Sequence, residues 1–177
     1  MVACNLAAAM AQSGKRVLLV DTDLRRARIH TSFGITRGEG VSSFVAGEVD
    51  FDRLAQKTHV SGLDVITAGP TPPNPAELLH SPRFATLVAL AREAYDVVIF
   101  DSPPLGAVTD AAILGPQVDG VLIVVKANVT TRDALSTTLR QLNDVGARIL
   151  GGIMNAVDFS GGHYGKGYYY RGYGEYY

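Results

Sequence analysis

Three groups of residues have types and spacing that could do chemistry. The first is Asp21-Thr22-Asp23, which follows the continuously apolar run Val17-Leu18-Leu19-Val20. A buried strand of that kind delivers two carboxylates, one residue apart, to the carboxyl edge of a sheet. Carboxylates there suit Mg²⁺, a hard ion that takes oxygen ligands and keeps several waters. A carboxylate near a reacting hydroxyl can also accept its proton. The competing use of Asp21 and Asp23 is to cap the turn and short helix that follow. The second group is Asp101, at the end of Val97-Val98-Ile99-Phe100 and ahead of Ser102-Pro103-Pro104. In phosphoryl-transfer sheets an Asp so placed holds Mg²⁺ directly or through water. The third group is Tyr164, Tyr168, Tyr169, Tyr170, Tyr173, Tyr176 and Tyr177, which are seven of the chain's eight tyrosines, interleaved with Gly. A Gly-spaced segment can present each phenol to an active site in turn, and each phosphate gained adds about −1.5 to −2 charges. The competing use is an aromatic tail for RNA or self-association, for which Lys166 and Arg171 supply little positive charge.

These residues need a scaffold, and the rest of the chain describes one. A length of 177 residues fits one domain and allows a real core. A formal net charge of -1 gives no argument for nucleic acid or an anionic membrane as a partner. The single cysteine, Cys4, cannot form an internal disulfide and points to a reducing cytoplasm. Its Ala-rich surroundings make it a small buried hydrophobe. No apolar run approaches the ~18–20 residues of a membrane span, and the N-terminus lacks the pattern of a secretory signal. His30, His59, His80 and His163 have no metal-ligand spacing.

Residues Val2 to Ser13 read as a helix that Gly14 stops. Besides Val17 to Val20, four runs are rich in β-branched residues and apolar on both faces: Leu63 to Ala68, Val97 to Phe100, Val121 to Val125 and Ile149 to Met154. Such runs predict strands buried on both faces of a parallel sheet. Helical spacing of apolar residues marks Pro82 to Ala94 and Thr130 to Val145, with a shorter helix from Gly40 to Ala46. Residues Gly69 to Pro75 read as a Pro-rich loop. Alternation of strand and helix predicts an α/β fold, a parallel sheet with helices on both faces. Ligands in such sheets bind at the carboxyl ends of strands. The predicted organisation is a domain over residues 1–160 and a tyrosine-rich tail over 161–177, which has too few aliphatic residues to build a core and is expected to be disordered or ordered by a partner.

Order and spacing of these motifs resemble one family. The stretch from Asn5 to His30 resembles the Walker A′ region of bacterial protein-tyrosine kinases, the autokinases that govern capsule and exopolysaccharide production. Pro73-Asn74-Pro75-Ala76-Glu77-Leu78-Leu79 resembles that family's linker, Asp101-Ser102-Pro103-Pro104 its Walker B, and the tyrosine cluster its C-terminus. The resemblance implies a P-loop NTPase-like fold, with ATP and Mg²⁺ as cofactors and a tyrosine kinase activity. It implies that Asp21 is the base toward the tyrosine hydroxyl, that Asp23 and Asp101 hold Mg²⁺, and that Asn155 contacts the purine. Arg25, Arg26 and Arg28 are placed to face a neighbouring subunit, because the family assembles into rings. Implied partners are further copies of the chain, a membrane polysaccharide co-polymerase or activator domain, and a tyrosine phosphatase, at the inner face of the plasma membrane. The D-x-D strand alone is shared with the ParA/MinD-like partitioning ATPases, a class with no reason to carry a tyrosine-rich tail. A third reading is a phosphoacceptor or interaction surface without catalysis.

The sequence departs from the family at one place. A G-x-x-x-x-G-K-[ST] phosphate loop belongs directly before the first helix, and no such string occurs in these 177 residues. Met1 stands close to where the loop's hydroxyl residue would be. The expectation is that the strand feeding such a loop is also missing and that its neighbours lose ladder partners on one side. Residues 1–177 alone are then expected not to bind ATP tightly, since helix-end electrostatics of ~0.3–1 kcal/mol cannot replace the loop.

Overall fold

The structure, a computed structural model, describes residues 1–105 and 110–158. The tail over 161–177 and its seven tyrosines lie outside the described residues.

The first helix, α1 (Val2–Gln12), forms where Ala predominates, and it stops at Gly14, whose φ of 88° suits a residue without Cβ. The chain then enters β1 (Val17–Asp21), in which every residue is buried. Two short helices, α2 (Ile29–Phe33) and α3 (Val41–Ala46), precede β2 (Gln56–Lys57) and β3 (Leu63–Ile66). Helices α4 (Pro75–Leu79) and α5 (Pro82–Ala94) lead to β4 (Val97–Asp101). Helix α6 (Asp110–Leu114), β5 (Val121–Lys126), α7 (Arg132–Asp144) and β6 (Ile149–Asn155) complete the described elements. Ser81 caps α5 by accepting from the Phe84 N–H, and Thr131 caps α7 by accepting from the Ala134 N–H.

Among the described residues the strands form two sheets, one of order β2-β3-β1-β4 and one of β5-β6. Strand β1 runs parallel to both neighbours, with Val17 opposite Leu63 and Val97, and Asp21 opposite Asp101. Strand β2 is antiparallel to β3 at the outer edge. Alternating side chains of β1 supply two cores. Val17 and Leu19 pack with Cys4, Ala7 and Ala11 of α1, while Leu18 and Val20 pack with Phe44 of α3 and Phe84 and Leu87 of α5. The sheet is therefore covered on both faces, as the alternating pattern predicts.

Three features differ from expectation. Strands β5 and β6 are not buried on both faces: half-buried positions alternate with exposed ones. Leu122, Val124, Leu150 and Met154 stand exposed on one side. Each of these strands pairs only with the other among the described residues, so apolar composition has no second layer to meet. The open edge of β4 lies across from them, and a cleft of about 390 Å³ separates Val97 and Val98 from Gly120 and Leu150. Next, the Pro-rich stretch ends in a helix, α4, because Pro75 stands at its first turn, where a missing N–H costs nothing. Finally, β2 is two polar residues long and carries no apolar signal.

Candidate functional site

Parallel register sets the site. Because β1 and β4 run side by side in phase, Asp21 and Asp101 finish their strands as direct neighbours. Thr22 then ties the two ends together. Its N–H and its hydroxyl both donate to the Asp101 carbonyl, at 2.9 and 2.6 Å. Thr22 is fully buried. Sequence reasoning passed over it, although a hydroxyl between two strand-end carboxylates is the signal that could have found it.

The three carboxylates are used differently. Asp21 is buried, and both its oxygens are occupied by backbone donors. Oδ1 accepts from the Asp23 N–H at 3.2 Å, and Oδ2 accepts from the N–H groups of Arg28 and Ile29 at 3.1 Å each. It thereby folds the segment 22–29 around itself. Burial raises its proton affinity, against the pull of those donors, and the charge of Asp101 raises it further. Asp23 is half-buried, with one oxygen accepting from the Arg26 N–H at 2.9 Å. The pair thus caps the turn, one of its two predicted uses, and does so at the sheet's carboxyl edge.

Asp101 differs again. Its carboxylate is half-buried and accepts no hydrogen bond from the described residues. Burial raises its proton affinity, and the charge of Asp23 adds to that. Helix α1 packs on β1 and β4 and ends where β1 begins, so its N-terminus lies toward the carboxyl edge of those strands. The first N–H groups of α1 have no side-chain cap, so they and the helix dipole favour anions at the same spot.

Divalent-ion binding can be tested against this geometry. Among the described residues no group of three or more His, Cys, Asp or Glu side chains is gathered into a cage. Mg²⁺ does not need one, because it is commonly held by one or two carboxylates together with phosphate oxygens and waters. Asp23 and Asp101 offer that number, and their mutual repulsion is what a cation would relieve. The donor set fits Mg²⁺.

The remaining predicted site residues are distributed as follows. Asn155 ends β6, exposed, with its carbonyl accepting from the Ala127 N–H at 2.9 Å. Next to it lies a cavity of about 160 Å³ lined by Lys126, Asn128, Thr130 and Asp158 among others. Two non-glycine residues there, Asn128 and Ala156, hold left-handed φ values of 60° and 56°. Of the three arginines, Arg25 turns inward onto Asp110 of its own chain, with Nε 3.1 Å from Oδ2. The Arg25 side chain nonetheless remains 42% exposed, and Arg26 and Arg28 are exposed as well. Tyr95, the tyrosine outside the cluster, donates its hydroxyl to Asp64 at 2.9 Å, and Lys57 binds the same carboxylate at 2.8 Å. Burial, then that hydrogen bond, push the Tyr95 hydroxyl's pKa far up. No helix among the described residues is long and apolar enough to cross a membrane.

Comparison with known proteins bears on the family and the fold. Residues 1–151 match the AAA domain family AAA_31. The chain is 41% identical, over 167 residues, to the tyrosine-protein kinase YwqD of Bacillus subtilis, covering 94% of this chain and 70% of that protein. It is 40% identical to the tyrosine-protein kinase wzc of Salmonella typhi, covering 88% of this chain but 22% of that much longer protein. Among solved structures, the kinase domain of the Escherichia coli tyrosine kinase ETK superposes with a TM-score of 0.83 at 36% identity, covering 94% of this chain and 66% of that one.

Proposed function

This chain belongs to the bacterial tyrosine-protein kinases of the AAA domain family, and from that membership we propose that it contributes the metal-binding carboxylates, the base and the purine contact of an ATP-dependent tyrosine autokinase acting on the cluster Tyr164 to Tyr177. One observation carries the reading: the register that sets Asp21 beside Asp101, with Asp23 and the N-terminus of α1 at the same edge.

In the proposed reaction the acceptor phenol oxygen forms a bond to the γ-phosphorus of ATP as the β,γ-bridging bond breaks and ADP leaves. Asp23 and Asp101 hold Mg²⁺, which when bound neutralises charge on the phosphates. The uncapped N-terminal N–H groups of α1 would favour the charge of those phosphates. Asp21 takes the phenol proton, for which burial has already raised its affinity. To do so it must exchange one backbone N–H for the phenol. Asn155 and the cavity beside Asn128 take the purine.

The wider setting belongs to the same proposal: capsule or exopolysaccharide synthesis, at the cytoplasmic face of a membrane. A co-polymerase or activator domain, a tyrosine phosphatase and ring neighbours, met by Arg26 and Arg28, are the partners. About 40% identity to named tyrosine kinases favours this over a partitioning ATPase.

The test is mass spectrometry of the complete reading frame that carries these residues, after incubation with ATP and Mg²⁺. Phosphate is expected on the tyrosines from 164 to 177. Phosphate confined to Tyr95, with the cluster clean, would overturn the reading, because the Tyr95 hydroxyl is already committed to Asp64.

A further inference from the structure

Asp110 is a fully buried carboxylate that the reaction above does not use. It opens α6, the first described element after the strand that carries Asp101. Its partner is Arg25, which reaches it from 85 positions earlier in the chain through Nε at 3.1 Å and Nη2 at 3.4 Å. Arg25 lies two residues beyond Asp23, and its guanidinium remains within Coulombic reach of Asp23. The Arg25 side chain is still 42% exposed, so it is free to swing if released.

Such a cation beside a metal-binding carboxylate is a competitor for the metal. A guanidinium matches a carboxylate with two parallel N–H donors and is always charged. Left unheld, Arg25 would pair with Asp23 and occupy the oxygen that a divalent ion needs. Asp110 prevents this by presenting a dry carboxylate in which the guanidinium is better held. Its burial makes the arrangement durable, since a buried carboxylate without its partner is costly.

We propose that the Arg25–Asp110 pair is a positioning device that keeps Asp23 available to a divalent cation and fixes the segment after β1 against α6. The proposal rests on the reading that Asp23 and Asp101 bind the cation. Asp110 touches neither metal nor substrate and acts only through Arg25.

Binding of Mn²⁺ to the protein, followed by the paramagnetic resonance of the free ion, tests it without an activity assay. Asp110→Asn removes the holding charge, and Mn²⁺ binding should weaken about two- to fivefold, the factor of one exposed ion pair formed at Asp23. The double variant Arg25→Gln with Asp110→Asn removes the competitor as well and should return binding to within about twofold of the original. A purely structural role predicts the opposite, that the double variant binds no better than Asp110→Asn alone. That outcome, or unchanged binding in Asp110→Asn, overturns the proposal. Asp23→Asn and Asp101→Asn separate the two levels. If neither lowers Mn²⁺ affinity, the metal reading itself fails and takes the pair's role with it. If both lower it while Asp110→Asn does not, only the role of the pair fails.

Discussion

Strands β1 and β5 look alike in sequence and sit in different physical worlds. Both are continuous apolar runs rich in Val and Leu, and each is followed by polar residues. In β1 all five residues are buried, with α1 on one face, α3 and α5 on the other, and a parallel strand on each edge. In β5 Leu122 and Val124 remain 43% and 48% exposed, and its described partner is β6 alone. Local composition reports that a strand is able to be buried, whereas burial itself depends on what the rest of the chain puts against it. The consequence reaches the site. The carboxyl end of β1 is fixed by Thr22 and by three backbone donors to Asp21. The ends of β5 and β6 turn through left-handed Asn128 and Ala156. The first end holds its carboxylates in place, and the second opens on the cavity beside Asn128.

The contrast can be broken first by stability. Phe84→Ala empties a fully buried site that packs edge-on against Phe100 and should cost ~3–5 kcal/mol by urea denaturation. Leu150→Ala, on the 57% exposed position of β6, should cost less than ~1 kcal/mol. Equal costs would mean that the exposed face of β5 and β6 is covered in solution, and the two sheets would no longer differ.

Next in size is Asp21→Asn. An amide nitrogen would face a backbone N–H where an oxygen now accepts, and leaving such a donor unsatisfied costs ~1–3 kcal/mol. Asn155→Ala, at the open end of β6, should stay within ~0.5 kcal/mol. If Asp21→Asn leaves stability unchanged but abolishes phosphorylation, the carboxylate serves chemistry more than the turn.

The sequence shows the strands, the main helices and the two strand-end carboxylates because each is signalled within a few residues: an apolar run, helical spacing, an Asp at the boundary. It cannot show that β1 and β4 are adjacent and in phase, because that register depends on residues some 80 positions apart, as in the Thr22 bond to Asp101. The Arg25–Asp110 pair is hidden for the same reason, and a run of arginines reads equally well as a solvated face. Thr67 is another such case, its hydroxyl donating to the carbonyl of Glu39 at 3.1 Å and so fastening the loop before α3. Helix α4 was legible in principle, since Pro75 after Asn74 is a helix start, but the preceding prolines masked it.

The smallest expected effect discriminates most between a strained and a satisfied site. Asp101 has its proton affinity raised by burial, and the charge of Asp23 adds to it. For an acid whose folded pKa lies above its unfolded value of about 3.9, the folded form binds the extra proton between the two values. Stability contributed by the group is then fully present below about pH 4 and is lost as pH rises through the folded value. Asp101→Asn removes that loss and should raise stability at neutral pH by about 0.5–2 kcal/mol, the usual gain from relieving one unfavourable charge. The gain should vanish in melts run below about pH 4, where the wild-type carboxyl is protonated. Added Mg²⁺ should raise the midpoint of the wild type and not that of the variant. Asp96 provides the opposite sign within the same strand neighbourhood. Its hydrogen bonds with Arg16 lower its pKa, so its contribution is present above about pH 4 and is lost on acidification. Asp96→Asn should therefore destabilise at neutral pH where Asp101→Asn stabilises. Should Asp101→Asn prove less stable than the wild type at neutral pH, the carboxylate is already well paired by the N-terminus of α1. The edge between β1 and β4 would then be a finished ion pair and not a place prepared for a cation.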